Sequence, residues 1–153
     1  MIRAAGATDA AAIVAIYNHY IRETVVTFEE QEIDAAEMSA RIADTQAAGL
    51  PWLVVATEDQ VQAYAYASRW KGRCAYRYAV ESTIYLAPTA VGQGTGTRLY
   101  TELLRRLREQ GLHTVIGGVA LPNPASVALH EKLGYEKAAH FREVGYKFGR
   151  WID

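Results

Sequence analysis

Glu81 stands inside the run "AVESTIYL", between Val80 and Ser82 in an otherwise apolar stretch. A carboxylate so placed can act as a general base, taking a proton from an attacking group. Strand alternation can equally turn it to water. His130 lies seven residues after Asn123 in "NPASVALHEKLGY", two helical turns on and near the same face. An imidazole there can give or take a proton, or be a packed helix side chain. Between the two, "TAVGQGTGTRLYTELLRRL" alternates Gly92, Gly94 and Gly96 ahead of a helical pattern. Glycines spaced this way let backbone N–H groups come close to a ligand, and the helix start that follows favours an anion. The plain alternative is a tight turn.

The glycine loop is neither of two common nucleotide cradles. A P-loop needs Gly, four residues, then Gly-Lys-Ser/Thr; here Thr97 follows the last glycine and no lysine is near. A dinucleotide fingerprint puts its third glycine at position 97, where Thr97 stands. Just before Glu81, "SRWKGRCAYRY" gathers Arg69, Lys71, Arg73 and Arg77. Such charges can simply be a solvated loop, yet arginines also grip carboxylates and similar anions through paired hydrogen bonds. Phe28, in "VVTFEE", has the look of a core aromatic, and Asn123 that of a helix cap. His19, His113 and His140 show no metal-ligand spacing, so no metal is expected.

These residues must be positioned by one domain, since 153 residues make one core. Half the residues are hydrophobic and the net charge is −1, which leaves no basic field for nucleic acid or an anionic membrane. Cys74 is the only cysteine, which rules out an intrachain disulfide and a cysteine zinc site. The start "MIRAAGATDA" does not read as a signal peptide, and no run is long enough to span a bilayer. A cytoplasmic protein is expected.

The elements follow from periodicity and punctuation. Thr8 or Asp9 can cap a helix carrying Ile13, Ile16, Tyr17, Tyr20 and Ile21 at helical spacing. A second helix is expected from Asp34 to Ala48, stopped by Gly49 and Pro51. "WLVVAT" and "VQAYAYAS" read as an antiparallel hairpin about a polar turn at Glu58, Asp59 and Gln60. "AVESTIYL" is a third strand, and Tyr100, Leu103, Leu104 and Leu107 line a helix ended by Gly111. "HTVIGGVA" reads as a buried strand. Asn123, Pro124 and Gly134 punctuate the last helix. "EKAAHFREVGYKFGRWID" is strand-like, with a break near Gly145. The order suggests one mixed α/β sheet covered by helices.

The order strand, Gly-Gln-Gly-Thr-Gly, amphipathic helix, strand and "NPASVALHEKLGY" resembles the GNAT superfamily of acetyl-CoA-dependent N-acetyltransferases. Three further segments, "WKGRCAYRYAVESTIYLAP", "LYTELLRRLREQGLHTVIGGVALPNPASVALHEKLGY" and "VGYKFGRW", look like the phosphinothricin acetyltransferase family within it, as does "AIYNHYIRETVVTFEEQ". The resemblance covers nearly the whole chain and implies an α/β fold of the α+β kind. That fold is a mixed, largely antiparallel central sheet flanked by helices, with acetyl-CoA held at a splay between central strands.

The resemblance also implies roles. Val91, Gly92, Gln93, Gly94, Thr95, Gly96 and Thr97 would hold the pyrophosphate of acetyl-CoA; Ile84, Tyr85, Leu86, Asn123 and Ser126 would line its pantetheine arm. Glu81 is similar to the glutamate that takes the proton, and His130 occupies the place of a tyrosine that protonates the departing thiolate. Lys71, Arg73 and Tyr76 fall on substrate-pocket positions, with Phe28 as an aromatic wall. Three features depart from the pattern. Val91 stands where Arg or Gln is usual, Arg77 replaces an acidic residue of some members, and Asp153 precedes a further strand, expected to be missing or supplied by a partner.

The activity so implied is N-acetylation of a small amino acid or analogue such as phosphinothricin, methionine sulfoximine or methionine sulfone. Direct attack in a ternary complex is expected, because no motif marks Cys74 as a nucleophile. A homodimer is expected as well. The alternatives are a catalytically silent acyl-CoA-binding regulatory module, or an acetyltransferase for another amine such as a protein N-terminus. A polyamine fits poorly, since the cationic loop would repel it.

Overall fold

Strand alternation between large and small residues sets the layers of this protein. A computed structural model describes residues 1–57 and 60–153, so the turn residues Glu58 and Asp59 lie outside the described residues. The elements are β1 (Ile2–Ala4), α1 (Ala10–Glu23), α2 (Ala35–Ala47), β2 (Trp52–Ala56), β3 (Val61–Arg69), β4 (Ala79–Leu86), α3 (Thr95–Glu109), β5 (Thr114–Gly117), α4 (Pro124–Lys132), β6 (Gly145–Lys147) and β7 (Arg150–Ile152). The first five strands form one sheet in the order β1-β2-β3-β4-β5. All its pairs are antiparallel except β4 with β5, which α3 connects as a crossover.

Along β3, Tyr64 and Tyr66 point to one face and Ala63, Ala65 and Ala67 to the other. Tyr64, Trp52, Val54 and Tyr85 pack against Ile13, Ile16, Tyr17 and Ile21 of α1 and Met38 and Ile42 of α2. The three alanines, fully buried, let α3 lie close to the opposite face through Leu99, Tyr100, Leu103 and Leu107. The sheet is thus covered on both faces, as its near-continuous apolar strands require.

The β4–β5 ladder is short. It runs from Ala79 opposite Thr114 to Ser82 opposite Gly117 and stops there. β4 continues to Leu86 with β3 as its ladder partner. Among the described residues, no strand pairs with the β5 side of Thr83–Leu86. The splay implied by the resemblance is therefore present.

The helix ends follow local chemistry. Asp34 caps α2, its carboxylate accepting from the Glu37 amide at 2.8 Å, and Gly49 ends it with a φ of 76°. Three expectations change. Asp9 does not cap α1 through its side chain; the carboxylate is held instead by Arg3 and the Gly6 amide. "HTVIGGVA" is a strand only over Thr114–Gly117, and it is partly exposed because it is the sheet's edge. The C-terminal stretch is a β6–β7 hairpin, and Gly145 lies within β6. The break falls at Phe148 and Gly149, whose φ values of 53° and 71° turn the chain. Among the described residues, no helix is long and apolar enough to cross a membrane.

The Asp9 carboxylate is 6% exposed and takes two Arg3 hydrogen bonds of 2.7 Å. These hold its pKa below the usual carboxylate value, the Gly6 amide helping and burial opposing. A carboxyl depressed on folding contributes stability above its unfolded pKa and loses it as pH falls through the folded pKa. Asp9→Asn should lower stability at pH 7 by about 1–2 kcal/mol, at the low side because Arg3 is half in water. In urea unfolding, the gap to wild type should close as the pH is lowered below about 4.

Candidate active site

The splay has a helix N-terminus beyond it. Gly92 and Gly94 take φ values of 80° and 75°, a conformation that a side chain strains. Gly94 is the N-cap of α3 and offers no side chain to cap it. The first amides of a helix have no intrahelical partner, and no side chain caps them here. Gly96 is buried, and a Cβ there would lie 3.5 Å from Leu86 and Leu129, which seats the helix start between β4 and α4. Val91 is 56% exposed. The Gln93 side chain donates to the Thr89 carbonyl at 2.8 Å, which braces the loop from within.

On β4, Ile84, Tyr85 and Leu86 follow the point where β5 departs. The Leu86 carbonyl also accepts from the Tyr20 hydroxyl at 2.7 Å, which ties this edge to α1. Across the splay, Asn123 caps α4 by accepting from the Ser126 amide at 3.1 Å, with Pro124 at the first helical position.

Glu81 sits at the mouth of the splay. It pairs with Ile116, one position before the ladder ends, and is half-buried on the α1–α2 face. Its Oε1 lies 3.3 Å from where a Cβ would stand at Gly118. Tyr66 is on the same face; burial raises its phenol above the usual value, and the Glu81 charge adds to that.

His130 is on the other face and is 8% exposed. Its Nδ1 lies 2.7 Å from the Ser126 carbonyl, which only accepts, so Nδ1 carries the proton. Nε2 then accepts from the Tyr100 hydroxyl at 3.1 Å. The Ser82 hydroxyl is 2.7 Å from that of Tyr100 and 2.8 Å from that of Tyr135. Burial pushes both phenols up, which keeps them protonated. The hydrogen bonds can therefore run one way, from Tyr135 through Ser82 and Tyr100 to His130. The cluster joins β4, α3 and α4 at the point where the strands part.

Two consecutive glycines make room for the two candidate groups. A Cβ at Gly117 would lie 2.7 Å from His130 Cδ2 and Nε2; one at Gly118 would press on Glu81. Glu81 and His130 are thus brought to the same end of β5 but on opposite faces, without direct contact. Sequence reasoning passed over Gly117, Gly118, Ser82, Tyr100 and Tyr135. A glycine pair inside a strand pattern is a sign of close approach, and a tyrosine on a leucine-lined helix face needs a partner for its hydroxyl.

The expected substrate residues stand further out. Lys71, Arg73 and Tyr76 lie in an exposed loop before β4, with Lys71 5.4 Å from the centre of the Trp70 ring. Arg77 donates to the Cys74 carbonyl at 3.1 Å and lies over Tyr78. Phe28 is not a core residue: it is 44% exposed, with its ring against Gly145.

The family model for the acetyltransferase (GNAT) domain matches residues 2–153. The phosphinothricin N-acetyltransferase of Alcaligenes faecalis is 42% identical over 146 residues, which span 95% of this chain and 74% of that protein. The L-methionine sulfoximine/L-methionine sulfone acetyltransferase of Salmonella typhimurium is 36% identical over 152 residues, 99% of this chain and 89% of that one. Among solved structures, a GNAT superfamily phosphinothricin acetyltransferase from Sinorhizobium meliloti in complex with acetyl-CoA superposes with a TM-score of 0.95. It is 38% identical, and the match covers 99% of this chain and 83% of that one.

Gly117→Ala should destabilise the protein by about 1–3 kcal/mol, as overpacking of a filled site does. The penalty should largely vanish in a His130→Ala background, where the ring is gone. A double-mutant cycle by urea unfolding measures this coupling.

Proposed function

The chain belongs to the GNAT acetyltransferase family, and from that premise we propose that it N-acetylates the α-amino group of a small amino acid. Phosphinothricin, methionine sulfoximine and methionine sulfone are the acceptors its relatives' names point to. The observation that carries the reading is the β4–β5 splay, with Glu81 at its mouth and the uncapped α3 N-terminus beyond.

The residues present fit acetyl-CoA. The edge of β4 at Ile84, Tyr85 and Leu86 and the α4 start at Asn123 and Ser126 would hold its arm. The backbone from Val91 to Thr97 would hold its pyrophosphate, aided by the helix dipole. With Val91 turned to water and Gln93 bonded to Thr89, the main chain carries that contact. Bound there, acetyl-CoA supplies an activated acyl thioester.

This chain's residues then do two things. Glu81 accepts the proton that the amine loses as its nitrogen bonds to the acyl carbon. A peptide α-ammonium has a pKa of about 7.7–8.0, and that of a free amino acid, beside its own carboxylate, is higher, so at pH 7 the acceptor is an ammonium that must lose a proton before it attacks. His130 serves the departing sulfur. The thiolate takes up one proton as the C–S bond breaks, and a protonated His130 would supply it, Tyr100 holding its ring in place. A thiol of pKa about 8.5 leaves readily, so this step contributes less than alignment does. Arg73 and Lys71 are assigned to the acceptor's anionic groups, with Tyr76 and Phe28 as its walls. Acetyl-CoA is an intracellular metabolite, and the reading carries a cytoplasmic location with it.

The test is thiol release from acetyl-CoA across a panel of amino acids that includes phosphinothricin. Glu81→Gln should lower kcat/KM by about 10²–10⁴ at pH 7, with the deficit narrowing toward pH 9 as the free amine accumulates. Arg73→Ala should raise the acceptor KM and leave that of acetyl-CoA alone. Binding of acetyl-CoA without thiol release for any amino acid would overturn this reading, and thiol release with a peptide N-terminus would then separate an acetyltransferase for another amine from the silent module.

We also propose a homodimer formed through the β6–β7 region. Phe141, Val144, Tyr146, Phe148 and Trp151 are each more than half exposed within eleven positions, and an apolar patch of this kind marks an interaction surface. Trp151→Glu should shift the sedimentation coefficient from dimer to monomer; a monomeric wild type overturns this assembly.

A further inference from the structure

Lys147, in β6, is a lysine with 1% exposure. Its Nζ donates to the Thr27 carbonyl at 2.8 Å, across 120 positions of sequence. The ammonium also lies 5.0 Å from the centre of the Phe148 ring. Thr27 belongs to the connection between α1 and α2 and is itself buried. Its hydroxyl pairs with the Tyr17 hydroxyl at 2.9 Å, and the Glu29 amide donates to it at 3.3 Å. Thr27 is therefore gripped twice, by α1 through its side chain and by β6 through its carbonyl.

The next residue is Phe28. Gly145 and Lys147 are the two buried residues of β6, two apart and so on one face. A Cβ at Gly145 would clash with the Phe28 ring. One side of this short strand thus gives the ring its seat at Gly145 and the preceding backbone its anchor at Lys147.

Stability alone does not explain a lysine here. Withdrawing an ammonium from water costs several kcal/mol, and burial lowers its pKa, with the Glu30 charge opposing. Methionine would fill a similar volume without that penalty. What lysine adds is a directed, charge-assisted hydrogen bond to one carbonyl.

We infer that Lys147 is a positioning residue for the acceptor pocket: by holding the Thr27 carbonyl it fixes the Phe28 ring over β6, and so tunes the enzyme's affinity for its amino-acid acceptor without touching it. The inference rests on the acetyltransferase reading, with Phe28 as a pocket wall. It makes the C-terminal hairpin part of the specificity apparatus.

The experiment compares wild type, Lys147→Met, Lys147→Arg and Gly145→Ala by steady-state kinetics with phosphinothricin and acetyl-CoA. Amide hydrogen exchange over residues 26–30 is followed in parallel. Lys147→Met should raise the phosphinothricin KM about tenfold while the acetyl-CoA KM stays within about twofold, and it should speed exchange over 26–30. Lys147→Arg, which can still donate to the carbonyl, should recover most of both. Gly145→Ala, which pushes the ring off its seat, should give the same KM split; with Lys147→Arg it carries the test if Lys147→Met does not fold. An unchanged acceptor KM in Lys147→Met and Gly145→Ala overturns the inference, as does an equal rise in both KM values, which marks a general scaffold residue. A wild type inactive on every acceptor overturns the acetyltransferase reading instead. Exchange over 26–30 then still decides whether Lys147 clamps this loop.

Discussion

The site depends on where one parallel ladder ends. β4 and β5 pair from Ala79 to Ser82 and part beyond it, leaving Thr83–Leu86 bonded to β3 on one side. A strand edge presents N–H and C=O groups that need partners, and an uncapped helix start does the same. The chain puts both at one place, with Gly92 and Gly94 as the bend between them. Acetyl-CoA, the ligand of the solved Sinorhizobium meliloti relative, has an extended arm and a diphosphate, groups of the kind that can pair with a strand edge and a helix start.

The parting point is held from both faces. On the α3 side, Ser82, Tyr100, Tyr135 and His130 form a closed polar cluster in otherwise apolar packing. Buried polar groups are expensive unless every partner is present, so the cluster locks α3 and α4 at one spacing from β4. On the α1–α2 side stands the half-buried Glu81, beside the end of β5. Gly117 and Gly118 at the end of β5 serve one face each. A Cβ at Gly117 would clash with the His130 ring, and one at Gly118 would crowd the tip of Glu81, so both glycines leave room for the candidate groups.

The acceptor side is built differently. Its candidate residues come from the α1–α2 connection, the exposed loop before β4 and the C-terminal hairpin, segments that the sheet does not hold in register. Their positions rest on side-chain links: Lys147 and Tyr17 to Thr27, Phe28 on Gly145, Arg41 in paired contact with Glu29. Such a pocket can change its acceptor by loop substitution while the cofactor cleft stays the same, which accords with the different acceptors named for the relatives.

Local signals in the sequence determined much of the frame. Asp34 and Asn123 cap helices because their side chains reach an amide three residues on, and "AVESTIYL" is a strand because its alternation suits a two-faced sheet. The alternating glycines signalled a loop of unusual conformation, and Gly92 and Gly94 take positive φ values. Other features needed the third dimension. That Glu81 and His130 occupy opposite faces is a consequence of strand register and of α4 packing, which no local pattern encodes. The short β5 and the buried Lys147 were misread or missed because their environment is made by residues distant in the chain; the hairpin at Phe148–Gly149 is local, but its turn puts Phe148, a residue with no turn preference, at positive φ. Types and spacings fix which groups are available and which way a strand or helix turns them; only the packing of one element on another decides which of them meet.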